Sequence, residues 1–254
     1  MRRIIAVFLA AVLTACAAEP QSTPAGSNDD ASGATSAPSR SSRDPATDRR
    51  RNVLFVGTSL TAGYGVGEEV AFPAVIQQKI DSAGLPFRVV NAGISGETSA
   101  GGLRRIDWSL QLPLDVLVLE LGANDGLRGI DPAEMCRNLD AILKRTRERY
   151  PTAAIVLTGM EAPPNLGDVY TSRFRRTFTE LAREHGALLV PFLLEGVAAQ
   201  PGFNIEDGIH PNLHGHRIIA ENVWRVLGPL LRERAAELTT VAAAPLHGRS
   251  SDCS

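Results

Sequence analysis

An α/β architecture with a five-stranded parallel sheet is predicted for residues 52–238, on three observations. Short apolar runs alternate along the chain with longer stretches whose apolar residues recur at helical spacing. The run Val116 to Leu121 is apolar at nearly every position, as in a strand with helices on both faces. The strict strand–helix alternation makes each connection a crossover, which joins parallel strands.

The elements follow in order. Asn52 to Val56 is an apolar run ending at Gly57 and reads as a buried strand. Phe72, Val75, Ile76 and Ile80 fall on one helical face, with Pro73 near its start and Gly84 at its stop. Phe87 to Asn91 is the second strand, Ser99 to Ser109 a candidate helix, and Val116 to Leu121 the third strand. Asp131-Pro132-Ala133-Glu134 has the form of a capping box, and Met135, Leu139, Ile142, Leu143 and Thr146 trace one face behind it. Ala154 to Thr158 is the fourth strand, Arg173 to His185 a helix, and Ala187 to Pro191 the fifth strand. A last helix starts near Leu213 with Ile219, Val223, Leu227 and Leu230 inward, and Gly228-Pro229 is a place where it can kink.

The flanks read differently. Arg2 and Arg3 precede an apolar run, Ile4 to Leu13, too short to span a bilayer of about 30 Å but suited to a secretory signal. The run ends at Leu13-Thr14-Ala15-Cys16, which resembles the bacterial lipobox. Residues 1–15 are therefore expected to be a lipoprotein signal peptide, and Cys16 the lipidated first residue of the mature chain. Ala17, with no aspartate there, implies the outer membrane in a Gram-negative cell. Of the 34 residues 17–50, 23 are Ala, Ser, Pro, Thr or Gly, and none is Ile, Leu, Val, Met, Phe, Tyr or Trp. Such a stretch cannot bury enough apolar surface to offset its ordering entropy. It is expected to be a tether spanning roughly 30 Å as a coil. Residues 239–254 are expected to form a loose tail.

Lys+Arg 26 against Asp+Glu 28 gives a formal charge of −2, with no basic excess to neutralise phosphates, so nucleic-acid binding is not expected. Removal of residues 1–15 takes Arg2 and Arg3 with it and leaves −4. The three cysteines, Cys16, Cys136 and Cys253, show neither a disulfide framework nor metal spacing. A monomer is expected.

Four segments fall at the carboxyl ends of the predicted strands, where ligands bind in such sheets. They are Gly57 to Gly65, Asn91 to Thr98, Gly122 to Gly126, and Asp207 to Asn212. Together they bring a serine hydroxyl, glycine N–H groups, an amide and an Asp/His pair to one rim. That set suits acyl transfer. Ser59 is a weak nucleophile until a base takes its proton. His210 can be that base, and Asp207, three residues earlier, can fix its tautomer. Candidate oxyanion donors are the N–H groups of Ser59 and Gly96 and the Asn124 side-chain amide.

These residues resemble the four sequence blocks of the SGNH, or GDSL-type, hydrolases, in the family's order, over about Val53 to Leu231. The bacterial thioesterase, lysophospholipase and arylesterase group is the nearest match. The resemblance implies a flavodoxin-like three-layer α/β/α sandwich and a serine esterase without metal or cofactor. It makes Ser59 the nucleophile, His210 the base and Asp207 its orienter, with Ser59, Gly96 and Asn124 as the oxyanion hole. The implied substrates are lysophospholipids, acyl thioesters or aryl esters, with carbohydrate acetyl esters as the alternative. Ala162 and Pro163 open a stretch that falls where that group has an acyl-contacting loop. The chain departs from the pattern at Thr58, where the family has an aspartate.

Other readings of the same segments are weaker. His210, His214 and His216 suggest a metal, but no carboxylate or cysteine completes a ligand set. Gly63-Tyr64-Gly65-Val66-Gly67 imitates half a dinucleotide fingerprint. A flavin phosphate over the hydroxyl-rich first loop leaves Asp207 and His210 unexplained, and an inactive surface-binding module would keep the pocket but show no turnover.

Overall fold

The computed structural model describes residues 50–243. The leader, Cys16, nearly all of the tether and the end of the tail lie outside the described residues. Among the described residues there are five strands: β1 Arg51–Gly57, β2 Phe87–Gly93, β3 Val116–Glu120, β4 Ala154–Thr158 and β5 Leu188–Val190. All pair in parallel, in the order β2-β1-β3-β4-β5. This is the flavodoxin-like order. The helices are α1 Ser59–Ala62, α2 Phe72–Ser82, α3 Ser99–Ser109, α4 Ala123–Leu127, α5 Pro132–Arg149, α6 Asp168–His185 and α7 Leu213–Ala243.

The order dictates the layers. From β1 to β2 the chain steps one way along the sheet; from β2 onward it steps the other way. Right-handed crossovers then place α2 on one face and α3, α5 and α6 on the other. Accordingly α3 packs on α5 and α5 on α6, while α2 packs on α7. The crevice opens where the direction reverses, between the ends of β1 and β3. In register, Gly57 ends beside both Gly93 and Glu120, so the loops leaving these three strands start at one level.

Burial follows the sequence pattern closely in the central elements. β3 and β4 are buried at every position. Met135, Leu139, Ile142, Leu143 and Thr146 form the inner face of α5, and Asp131 Oδ1 caps it by accepting from Ala133 N at 3.0 Å. On α2, Phe72, Ile76 and Ile80 are buried and Val75 is half-buried.

Several boundaries differ from the sequence reading. β2 continues to Gly93 because Ala92 and Gly93 pair with Val56 and Gly57. The Asn124-Asp125-Gly126 segment lies within the short helix α4, with Gly126 N donating to Gly122 O at 2.9 Å. α6 starts at Asp168 rather than Arg173. Its first turn is mostly exposed and carries no apolar repeat; Tyr170 ties it down by donating to Ile130 O at 2.6 Å. β5 is shorter than expected, and its Leu188 is exposed. α7 is continuous through Pro229 and reaches Ala243, past Leu238. Leu231, rather than Leu230, is its fully buried residue there.

Candidate active site

Each site residue stands on a short segment with its own local cause. Ser59 opens α1. Thr58 precedes it as the N-cap, its hydroxyl accepting from Leu60 N at 3.4 Å. Gly63 closes this one-turn helix, so the Gly63–Gly67 run serves as its exit. Asn91 secures the turn to β2, donating to Thr61 O at 2.8 Å and accepting from Gly93 N at 2.9 Å.

Asp207 and His210 sit on a loop folded back on itself. Ile205 N donates to His210 O at 2.8 Å, and Asn204 bridges to Pro211. Asp207 Oδ1 accepts from the N–H groups of Ile209 and His210, both at 2.9 Å. Its other oxygen, Oδ2, lies 2.6 Å from His210 Nδ1. The His210 backbone N–H, the His210 ring and the Ile209 N–H together hold the Asp207 carboxyl down to about 2. On its other side, His210 Nε2 is 3.0 Å from Ser59 Oγ. With Asp207 ionised, Nδ1 is the protonated nitrogen and Nε2 accepts the serine proton.

The oxyanion candidates line the same wall. Gly96 has φ of +78°, a backbone conformation that side chains rarely adopt. Arg128 donates to its carbonyl at 2.9 Å. Asn124 Nδ2 donates to Glu97 O at 3.0 Å, which ties the block-three amide to the block-two loop. Glu97 is itself gripped by Arg105, whose Nε lies 2.7 and 2.9 Å from the two carboxylate oxygens. Asp125 holds the same two segments together lower down. It is fully buried and accepts from Ser99 N at 2.8 Å and Ser99 Oγ at 2.5 Å.

Ser59, Gly96, Asn124 and His210 all line one cavity of about 850 Å³. Ala162 and Pro163 line it as well, with Leu127, Leu194 and Ile209. Asp207 stands behind His210 and does not line it. All the sequence-predicted residues of the body are therefore brought together. Such a site can hold an acyl group in an apolar slot, attack its carbonyl with a hydroxyl and meet the resulting charge with N–H donors.

Two contributors were missed by sequence reasoning. Tyr64 packs its ring on His210, with centroids 4.5 Å apart at 44°. Within its glycine run, nothing in the sequence connects it with a residue so far away. Glu120, inside the apolar run of β3, read as strand core; it lies beneath the Ser59 turn, bonded to Thr58 and Thr61. Its one local signal is a lone charge in that apolar run. Of the neighbouring histidines, His216 is buried and accepts from Phe72 N through Nδ1 at 3.2 Å. Among the described residues, no group of three or more His, Cys, Asp and Glu side chains is disposed to hold a metal ion.

The model of the GDSL-like lipase/acylhydrolase family matches residues 55–218. Esterase TesA of Pseudomonas aeruginosa is 41% identical over 182 residues, covering 71% of this chain and 90% of that one. Thioesterase 1/protease 1/lysophospholipase L1 of Escherichia coli is 38% identical over 181 residues, covering 70% of this chain and 84% of that one. Among solved structures, psychrotrophic esterase EstA from Pseudoalteromonas, inhibited by monoethylphosphonate, superposes with a TM-score of 0.67 at 33% identity; the match covers 72% of this chain and 99% of that one.

Proposed function

The chain belongs to the GDSL-like lipase/acylhydrolase family and is a carboxylic ester hydrolase; on that premise we propose that Ser59 carries the acyl group, with His210 as its base and Asp207 as the orienter of that base. The observation that carries this is the continuous relay from Ser59 Oγ to His210 Nε2, 3.0 Å, and from His210 Nδ1 to Asp207 Oδ2, 2.6 Å. As Ser59 Oγ attacks the ester carbon, its proton passes to Nε2. The imidazolium then gives that proton to the leaving alkoxide or thiolate. Water repeats the sequence on acyl-Ser59 and releases the acid. Through both halves the Ser59 and Gly96 N–H groups and the Asn124 amide face the oxyanion.

The inhibition of the Pseudoalteromonas esterase by a phosphonate accords with a nucleophilic hydroxyl at the corresponding place. The decisive experiment is Ser59→Ala. Turnover of p-nitrophenyl esters should disappear while the thermal midpoint stays within a degree or two; retained turnover would remove Ser59 from the mechanism.

For the substrate we propose lysophospholipids and medium to long acyl esters. The apolar lining at Leu127, Ala162, Pro163, Leu194 and Ile209 supports this, and about 850 Å³ is far more than an acetyl group needs. The name of the Escherichia coli relative includes the same activity. Location is a further part of the proposal. Lipidation at Cys16 would tether the enzyme at the cell envelope, where acyl-CoA is scarce and lysophospholipids are present. Cys16→Ser should move the protein from the membrane to the soluble fraction, and unchanged fractionation would refute the anchor. A p-nitrophenyl ester series should show kcat/KM rising from the acetyl to the octanoyl ester. A maximum at acetyl would favour the carbohydrate acetylesterase reading.

A further inference from the structure

Glu120 is the last residue of β3 and is wholly buried. Among the described residues it has no ion-pair partner. Its Oε2 accepts from Thr58 N at 2.8 Å and from Thr61 Oγ1 at 2.8 Å, and the Thr58 hydroxyl lies 3.0 Å from both carboxylate oxygens. These donors bracket Ser59: one residue before it, and two after. A bare glycine at 57 lets the carboxylate come so close. A Cβ there would stand 2.6 Å from Oε2 and 2.0 Å from Thr61 Oγ1.

We infer that Glu120 is a positioning residue for the nucleophile: its carboxylate gathers the Thr58 N–H and the two threonine hydroxyls from below and so sets the turn that aims Ser59 Oγ at His210. A turn of four helical residues has too few bonds of its own to hold one orientation. The strand beneath it is rigid, and its terminal carboxylate supplies three acceptor contacts at one point. Thr58 brings no charge of its own to the turn, and Glu120 is the carboxylate that ties the turn to the sheet. Burial pushes its pKa up to about 7, against the lowering effect of the Thr58 N–H and the Thr61 and Thr58 hydroxyls. The charge therefore depends on the donors that it organises. Among the described residues no charged side chain bears on it; the groups facing it are Thr58 and Thr61 of the turn and Gly57 of β1.

The inference rests on Ser59 being the nucleophile, and the test separates the two. The full chain is treated with a fluorophosphonate probe, the labelled residue is mapped, and labelling rates are compared. Labelling away from Ser59 in the wild type would overturn both readings. With Ser59 labelled, folded Glu120→Gln should react about tenfold more slowly. Its kcat on p-nitrophenyl butyrate should fall in proportion, with KM within about twofold of wild type. Labelling at the wild-type rate, or a loss confined to KM, overturns the inference and leaves Ser59 in place. If Glu120→Gln does not fold, Thr61 decides. Thr61→Val keeps the shape but removes one donor and should slow labelling several-fold, whereas Thr61→Ser should restore it. A wild-type rate in Thr61→Val, or no rescue by serine, overturns the inference.

Discussion

At the scale of single residues, the site divides into groups that meet the reacting atoms and groups that hold them. The proposed mechanism places Asn124 in the first kind. Its amide is held in place by Glu97 O, so its remaining capacity is aimed rather than free to rotate. Removing one such donor elsewhere costs about 10²–10³ in rate. Asn124→Ala is expected to lower kcat by roughly 10²-fold with a small change in KM, measured by steady-state hydrolysis of p-nitrophenyl butyrate; a near-normal kcat would mean that the hole does not use this amide. Tyr64 is of the second kind. Nothing but ring contact joins it to His210, and Tyr64→Phe should therefore be close to neutral in kcat/KM, while Tyr64→Ala lowers it several-fold.

At the scale of elements, the question is what keeps Gly96 and Asn124 in register, since they lie on loops after different strands. α3 and α4 answer it. Asp125 on α4 receives the backbone N–H and hydroxyl of Ser99, the first residue of α3, and Asn138 of α5 donates to the same hydroxyl at 3.0 Å. Asp125→Asn would replace one of the two accepting oxygens with an NH2, so the Ser99 N–H and hydroxyl could no longer both donate to it. A buried donor left unpaired costs about 1–3 kcal/mol. That loss should appear in urea unfolding, together with a fall in kcat as Gly96 and Asn124 drift apart. Full stability with unchanged kcat would show that the tie is dispensable. The inner face of α5 offers a purely structural control: Leu139→Ala should cost about 2–5 kcal/mol and leave KM unaltered, because Leu139 is buried in the core and lines no part of the cavity.

At the scale of the whole molecule, a histidine outside the chemistry is one contributor to how stability varies with pH. His216 is fully buried, stacks on Phe72 and accepts from Phe72 N, and its Nε2 has no hydrogen-bond partner. Burial first, then the His210 charge, lowers its pKa from 6.5 to about 4. The unfolded chain thus binds a proton more readily at this residue, and its contribution to stability falls as pH drops from 6.5 through 4. Over that window the loss is about 3 kcal/mol. Glu120, raised from 4.5 to about 7, acts with the opposite sign, since the folded state then holds the extra proton and stability falls as pH rises through 7. The comparison that isolates His216 is urea unfolding of wild type and His216→Gln at pH 7 and pH 4.5. The variant should lose about 2–3 kcal/mol less across that interval, and parallel losses would show that His216 is not the group responsible.

The sequence by itself determined the five strands, the buried face of α5 and the identity of Ser59, Gly96, Asn124, Asp207 and His210 as candidates. Periodicity and turn chemistry are local, and the residues of acyl transfer stand in short segments that can be read one at a time. It did not reveal that Glu120 lies under the Ser59 turn, that Tyr64 packs on His210, or that α6 begins at Asp168. Glu120 is 62 residues from Thr58 and Tyr64 is 146 from His210. Such pairings exist only after the register of β1 against β3 and the closure of the Asp207–His210 loop have brought distant stretches together, and those depend on the packing of the whole sheet and not on the residues near either partner.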